Sequence, residues 1–208
     1  MVRQILRFGS LLEHLDCLLQ RLRLLPIEDQ VHLLWPLCRQ ILSRLCSSKA
    51  TTYGREHEKD AIQAYKQSNR MATVNACGLF IDEEENWLCG TPDSIVVCGE
   101  LRGCLEVKCP LVCADQPVSA AAKEKSFCLE KSGDLLRLKC THAYFYQVQV
   151  QMRVTETSWA DFCVWSPVRQ MHVECIQRDD NFISIAVQRM KQFYFSKFLP
   201  CGMQSVLV

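Results

Sequence analysis

Three residues in one short stretch carry chemistry that a sheet interior would not select for packing. In Gly90-Thr-Pro-Asp-Ser-Ile-Val-Val-Cys98, Asp93 follows a proline and opens an apolar run; in Cys104-Leu-Glu-Val-Lys-Cys109, Glu106 and Lys108 flank Val107. Residues two apart on a strand point to the same face, so Glu106 and Lys108 stand side by side, and Asp93 can reach them from the neighbouring strand. Two carboxylates brought together cost free energy unless something positive lies between them. A hard divalent cation removes that cost, and Mg²⁺ (or Mn²⁺) suits the site because it takes one or two carboxylates and keeps waters for a phosphate and a nucleophile. Lys108 beside it could orient a water or stabilise charge gathering on a phosphate oxygen. The backbone carbonyl of Val107 is a further oxygen ligand. Together these groups are equipped for metal-assisted phosphodiester hydrolysis. Taken alone, the same residues also fit a proline turn followed by a half-solvated strand, and the pattern leaves both readings open.

The elements that must hold these residues follow from periodicity and breakers. Strands are expected at 76–81, 87–90, 94–98 and 103–108, separated by the acidic stretch 82–86 and by 99–103. A linker at 47–52 leads into a helix over 53–65, with Ala61, Ala64 and Tyr65 on its apolar side. The segment 110–139 reads as a long connection with one short helix, 159–165 and 171–176 alternate as strands, and 181–198 reads as a closing helix. The segment 143–152 alternates like a strand, yet Tyr144, Val148 and Gln151 also share one helical face, and periodicity does not decide between them. Near the N-terminus, Leu11, Leu15, Leu18, Leu22 and Leu25 form one helical stripe ended by Pro26, and Val31, Leu34, Cys38, Ile41 and Leu45 continue a second. The expected organisation is a leucine-rich helical N-terminal segment at 1–48, a main domain at 49–200 and a tail at 201–208.

With 208 residues, 49% of them hydrophobic, the chain can bury one sizeable core. Its 24 basic and 23 acidic residues nearly cancel, which excludes a basic field over the whole protein. A nucleic acid would have to be held by a local patch, and Lys123, Lys125 and Lys131, with Arg137 and Lys139, form the best one. Glu124, Glu130 and Asp134 dilute it, so a solvated loop is an equal reading. None of the 14 cysteines forms a Cys-x-x-Cys pair. Cys98, Cys104 and Cys109 are expected to fill small apolar positions in a reduced chain rather than to hold zinc. Glu13, His14 and Asp16 interrupt the apolar N-terminus before a signal core or a membrane span can form. The expectation is an intracellular protein, nuclear or cytoplasmic, with mitochondrial import disfavoured by those acids and no membrane partner. A homo-oligomer is compatible with the sequence.

Four stretches taken together resemble the YqaJ-type viral recombinase nucleases, relatives of phage lambda exonuclease within the PD-(D/E)xK superfamily. They are Tyr53-Gly-Arg-Glu-His-Glu-Lys-Asp-Ala61; Gly90-Thr-Pro-Asp-Ser-Ile-Val96 with Gly103-Cys-Leu-Glu-Val-Lys-Cys-Pro110; Tyr144-Phe-Tyr-Gln-Val-Gln-Val-Gln-Met152; and Trp159-Ala-Asp-Phe-Cys-Val-Trp165. The resemblance covers about residues 50–200 in the family's order. It implies an α/β fold with a restriction-endonuclease-like mixed central sheet flanked by helices, here carrying an N-terminal helical hairpin. It also makes 143–152 a helix. The implied activity is a divalent-metal-dependent deoxyribonuclease, a 5′-to-3′ exonuclease on double-stranded DNA. Asp93, Glu106, Lys108 and Gln147 would be catalytic, and Glu58, Asp93, Glu106 and Val107 would hold metal. Arg55, Lys123, Lys125 and Lys131 are candidates for contacting DNA. The family's basic, Ser/Thr-containing opening segment, which grips a 5′-phosphate, has no match in the leucine-rich residues 1–48; Arg44, Ser47 and Ser48 read better as a helix-end cap. Two other classes compete: a catalytically silent DNA-binding module that keeps the fold, and a cysteine-rich zinc adaptor.

Overall fold

The computed structural model describes residues 48–168 and 171–200. The expected N-terminal hairpin, with Arg44 and Ser47, and the tail 201–208 lie outside them. The first described element starts at its cap. Ser48 Oγ accepts the N–H of Thr51 at 3.1 Å, a contact worth about 1 kcal/mol, and helix α1 runs Lys49–Ser68. The second half of the expected linker is therefore already helix.

After α1 the chain forms β1 (Thr73–Asn75), β2 (Phe80–Ile81), β3 (Cys89–Gly90), β4 (Ser94–Cys98) and β5 (Leu101–Lys108). A short helix α2 (Val118–Ala121) and the hairpin β6 (Leu129–Ser132)–β7 (Leu135–Leu138) precede helix α3 (Ala143–Val154). Strands β8 (Trp159–Val164) and β9 (His172–Gln177) and helix α4 (Asp180–Phe193) complete the fold, α4 passing into a π-helical turn at Tyr194–Phe198. The main sheet has the order β1-β4-β5-β8-β9, with β5 and β8 parallel and the other pairs antiparallel. A parallel pair needs a crossover, and the path from β5 through α2, the hairpin and α3 to β8 supplies it. This is the mixed sheet with flanking helices that the resemblance implies.

Each face of the sheet buries a different helix. On one face α1 sets Ala61 and Tyr65 against Val96, Leu105, Val107 and Cys163, and the Tyr65 hydroxyl donates to Asp161 on β8. On the other, Val148 and Met152 of α3, both fully buried, meet Ile95, Cys104 and Phe162. The next face of α3 buries Val150 and Val154 against Ile183, Val187 and Met190 of α4. Two buried faces explain why 143–152 carried apolar residues at both helical and strand spacing. The helix begins where the His142 side chain accepts the N–H of Tyr144 at 3.1 Å.

Several boundaries differ from the sequence reading. Of the strand expected at 76–81 only β2 at its end forms, paired with β3 in a separate ribbon, while the strand that pairs with β4 in the main sheet is β1, which ends at Asn75 before that range. Strand β5 begins at Leu101 because Gly99-Glu100 alone forms the turn; Cys98 faces Leu101, and Gly99 takes φ 61° at the first turn position, where glycine is favoured. The hairpin β6–β7 was missed inside 110–139. Its loop is Gly133-Asp134, with Gly133 at φ 62°. Cys104 and Cys109 are buried as expected, whereas Cys98 is exposed at the end of β4. Trp87, Trp159 and Trp165 are half-buried and pack against the core from outside it. Among the described residues, no helix is long and apolar enough to cross a membrane.

Candidate active site

The antiparallel ladder between β4 and β5 ends at Ser94 opposite Leu105, while β5 continues for three more residues. Asp93 occupies the place where β4 has run out. Its N–H donates to the Leu105 carbonyl at 3.0 Å, and its Oδ2 accepts the N–H of Val107 at 2.7 Å. The N–H and C=O of one strand residue face the same edge, so the Val107 carbonyl is turned towards Asp93 and away from β8. Glu106 and Lys108 project together from the face that α3 covers, as period-two spacing predicts.

Helix α3 brings Tyr144, Gln147 and Gln151, three and four residues apart, over those side chains. Lys108 Nζ pairs with Glu106 Oε1, donates to Gln147 Oε1 at 3.1 Å and sits 4.4 Å from the centre of the Tyr144 ring. Gln147 Nε2 donates to Glu106 Oε1 at 2.7 Å, and Gln151 Nε2 donates to Glu106 Oε2 at 2.7 Å. Glu106 is 3% exposed, so these donors stand in for the water its carboxylate has lost.

Electrostatics mark this corner. Burial, then the charges of Glu106 and Glu58, push the Asp93 carboxyl well above its ordinary range, against the opposing pull of Lys108 and the Val107 N–H. Burial draws Lys108 downward, but Glu106, Tyr144 and Asp93 outweigh it and hold the ammonium above its usual value. Lys108 is therefore a fixed positive charge here, suited to donating rather than to taking a proton. Burial and the charges of Asp93 and Glu58 push the Cys109 thiol up to about 12, which keeps it protonated.

One open cleft of about 670 Å³ joins the parts, lined among others by Arg55, Glu58, Asp93, Glu106, Lys108 and Gln147. Helix α1 forms its far wall. Glu58 and Arg55 reach the cleft from there, but Glu58 does not close up with Asp93 and Glu106: among the described residues, no three His, Cys, Asp or Glu side chains form a metal-holding group. The same observation leaves Cys98, Cys104, Cys109 and Cys113 without a zinc cluster; Cys104 Sγ instead meets the hydroxyls of Thr155 at 3.1 Å and Thr157 at 3.3 Å. The donors that Asp93, Glu106 and Val107 offer are oxygens, two carboxylates that repel each other and a carbonyl, while the Cys109 thiol on the cleft wall stays protonated. That set fits a hard divalent cation and does not fit a thiophilic one.

The lysines proposed from sequence lie elsewhere. Lys123, Lys125 and Lys131 are exposed and lie outside the walls of the cleft. Two neighbours of that patch serve the fold: Lys139 Nζ donates to the carbonyls of Lys125 at 2.6 Å and Phe127 at 2.7 Å, and Arg137 pairs with Glu174 at 3.3 Å. Sequence reasoning gave no role to Tyr144, and to Gln151 only a place beside Gln147 on the face of the implied helix that lies near the metal. The available signal was their spacing from Gln147 on one helical face.

Residues 21–158 match the YqaJ-like viral recombinase domain. Among curated proteins, none matches the chain. The fold is similar to that of an alkaline exonuclease (LHK-Exo) from Laribacter hongkongensis, at TM-score 0.60 and 20% identity over 86% of this chain and 84% of that one. The same enzyme in complex with dAMP gives TM-score 0.61 and 20% identity over 88% and 86% of the two chains. A phage-related exonuclease from Haemophilus somnus 129PT gives 0.55 and 16% identity over 86% and 84%.

Proposed function

We propose a deoxyribonuclease function for this chain, which belongs to the YqaJ-like viral recombinase domain family. The finer reading is a divalent-metal-dependent 5′-to-3′ exonuclease on double-stranded DNA, working in recombination or repair, with 49–200 as its catalytic unit, 1–48 as an appended segment and 201–208 as a tail. One observation carries it: Asp93, Glu106 and Lys108 meet at the free end of β5, inside an open cleft and under the amide of Gln147. The exonucleases whose fold is similar support the same class.

Asp93 and Glu106, with the Val107 carbonyl and with Glu58 on the facing wall, would hold Mg²⁺ (or Mn²⁺), which supplies Lewis-acid polarisation of a phosphoryl oxygen and a more acidic water. The protein's own part is positioning and charge. Lys108, held protonated, places an ammonium where it can donate to a phosphate oxygen or orient the attacking water. Gln147 bridges Lys108 and Glu106 through both ends of its amide, which fixes the two relative to each other. Tyr144 supports the ammonium from below with its ring. Arg55, an exposed cation on the wall of the cleft, is placed to meet a backbone phosphate.

The deciding experiment incubates the protein with end-labelled linear duplexes, bearing either a 5′-phosphate or a 5′-hydroxyl, and with closed circular DNA, each with and without Mg²⁺. Metal-dependent shortening of the linear duplexes supports the reading. Binding without cleavage under every condition assigns the silent DNA-binding module instead. A charge-assisted contact to a terminal phosphate is worth about ten- to a hundredfold in rate. If residues 1–48 have replaced the phosphate-gripping segment, the preference between the two ends should fall below that range, with some nicking of circles.

A further inference from the structure

We propose that Gln151 is a positioning residue that holds Glu106 for cation binding through the carboxylate oxygen that Gln147 does not bond. This rests on the reading of Glu106 as a metal ligand. Glu106 Oε1 receives two donors, Lys108 and Gln147. Oε2 receives the Gln151 amide at 2.7 Å. Without that bond the carboxylate would be tethered by one oxygen and could turn about its terminal torsion.

Three features separate this contact from ordinary packing. Gln151 is fully buried, at 0% exposure, in a helix whose neighbouring inward positions are Val148 and Met152. An aliphatic residue would fill that space with no polar atom to satisfy. Its own carbonyl, Oε1, is buried without a hydrogen-bond partner, a cost that packing alone does not offset. The amide nitrogen is spent on Glu106, with only a long second contact to the Thr91 carbonyl at 3.4 Å.

The backbone nearby is shaped to let this happen. A Cβ added at Gly90 would lie 2.8 Å from Val154 Cγ2 and 3.6 Å from Gln151 Cγ. Gly90 thus admits α3 close to β3, which sets the height of Gln151 over β5. Buried hydrogen bonds of this kind, made to a ligand rather than to the metal, change affinity by about ten- to a hundredfold when removed.

The test is Mn²⁺ binding to the full-length protein by titration calorimetry, in wild type, Gln151→Met and Gln151→His, with thermal melting of the metal-free proteins alongside. Methionine keeps length and apolar volume but has no donor; histidine keeps an N–H at similar reach. The expected result is a Gln151→Met protein that melts near wild type yet binds Mn²⁺ about ten- to a hundredfold more weakly, with Gln151→His recovering most of the loss. Unchanged Mn²⁺ affinity in Gln151→Met overturns the assignment, as does a Gln151→His protein as weak as Gln151→Met. Failure of Gln151→Met alone to fold would make the amide a structural tie and overturn it too. Absence of Mn²⁺ binding in wild type is a different outcome, because it removes the metal reading itself and this inference with it.

Discussion

The carboxylate of Asp93 closes on the backbone N–H of Val107 at 2.7 Å, between Glu106 on one side in the sequence and Lys108 on the other. One hydrogen bond therefore fixes where the first acid sits relative to the second acid and the lysine. It also explains why a strand that ends early is useful: Asp93 takes the position that a sixth pair of the β4–β5 ladder would otherwise fill.

Lys108→Ala should lower DNA hydrolysis by about a hundredfold or more, as should Glu106→Gln, because each removes a group assigned to metal or proton-transfer chemistry. Both proteins should keep the fold, which far-ultraviolet circular dichroism checks. Near-normal turnover in Lys108→Ala would make this lysine a structural partner of Glu106 and Gln147 rather than a catalytic group.

Calcium should support DNA binding without cleavage. It accepts the same oxygen ligands at longer distances and looser geometry, and it polarises water less. A gel-shift assay with Ca²⁺, followed by addition of Mg²⁺ or Mn²⁺ to the same sample, should show binding first and cutting afterwards. Full cleavage in excess chelator would remove the metal mechanism.

Gly103 is a packing prediction. A Cβ there would lie 2.4 Å from two ring atoms of Trp159 and 2.5 Å from a third, on the neighbouring parallel strand. Gly103→Ala should therefore destabilise by about 1–3 kcal/mol through overpacking. That corresponds to a melting temperature lower by roughly 2–12 °C for a chain of this size. Trp159→Leu in the Gly103→Ala background should recover part of the loss, since the two sites share one contact. An unchanged melting temperature in Gly103→Ala would show that the indole moves aside freely.

Acid stability should depend on Asp82. Arg153 on α3 donates to it twice, at 2.5 and 3.1 Å, and the N–H groups of Glu84 and Glu85 donate at 3.2 and 2.8 Å. Burial works to raise the Asp82 carboxyl, but these donors outweigh it and hold it below its ordinary range. An acid whose folded pKa lies below its unfolded value of about 3.9 stabilises fully above that value and loses the contribution as pH falls through the folded one. Asp82→Asn should lower the urea midpoint at pH 7, by about 1–3 kcal/mol in free energy, and the gap to wild type should narrow in strong acid. A gap of equal size at both pH values would assign the loss to packing rather than charge.

Glu106, Lys108 and Asp93 were legible in the sequence because a strand's two-residue period is a covalent property of the chain, and acids inside apolar runs demand a reason. Strands β4, β5, β8 and β9 and helix α1 were legible for the same reason, each pattern being local. The hairpin β6–β7 also had its local signal, Gly133-Asp134 between apolar flanks, but charged residues on both strands hid it. What tertiary structure alone decided is everything that depends on a partner distant in the chain. The stretch 73–81 became parts of two sheets because β4 and β3 offered different edges. The stretch 143–154 is buried against the sheet and against α4, so its spacing could not name its own conformation. Gln151 reaches Glu106, and Tyr144 reaches Lys108, because α3 lies at one height over β5, and that height is set by side chains and a glycine elsewhere in the chain. Residue type and period specify which groups face one way; only packing specifies which of them touch.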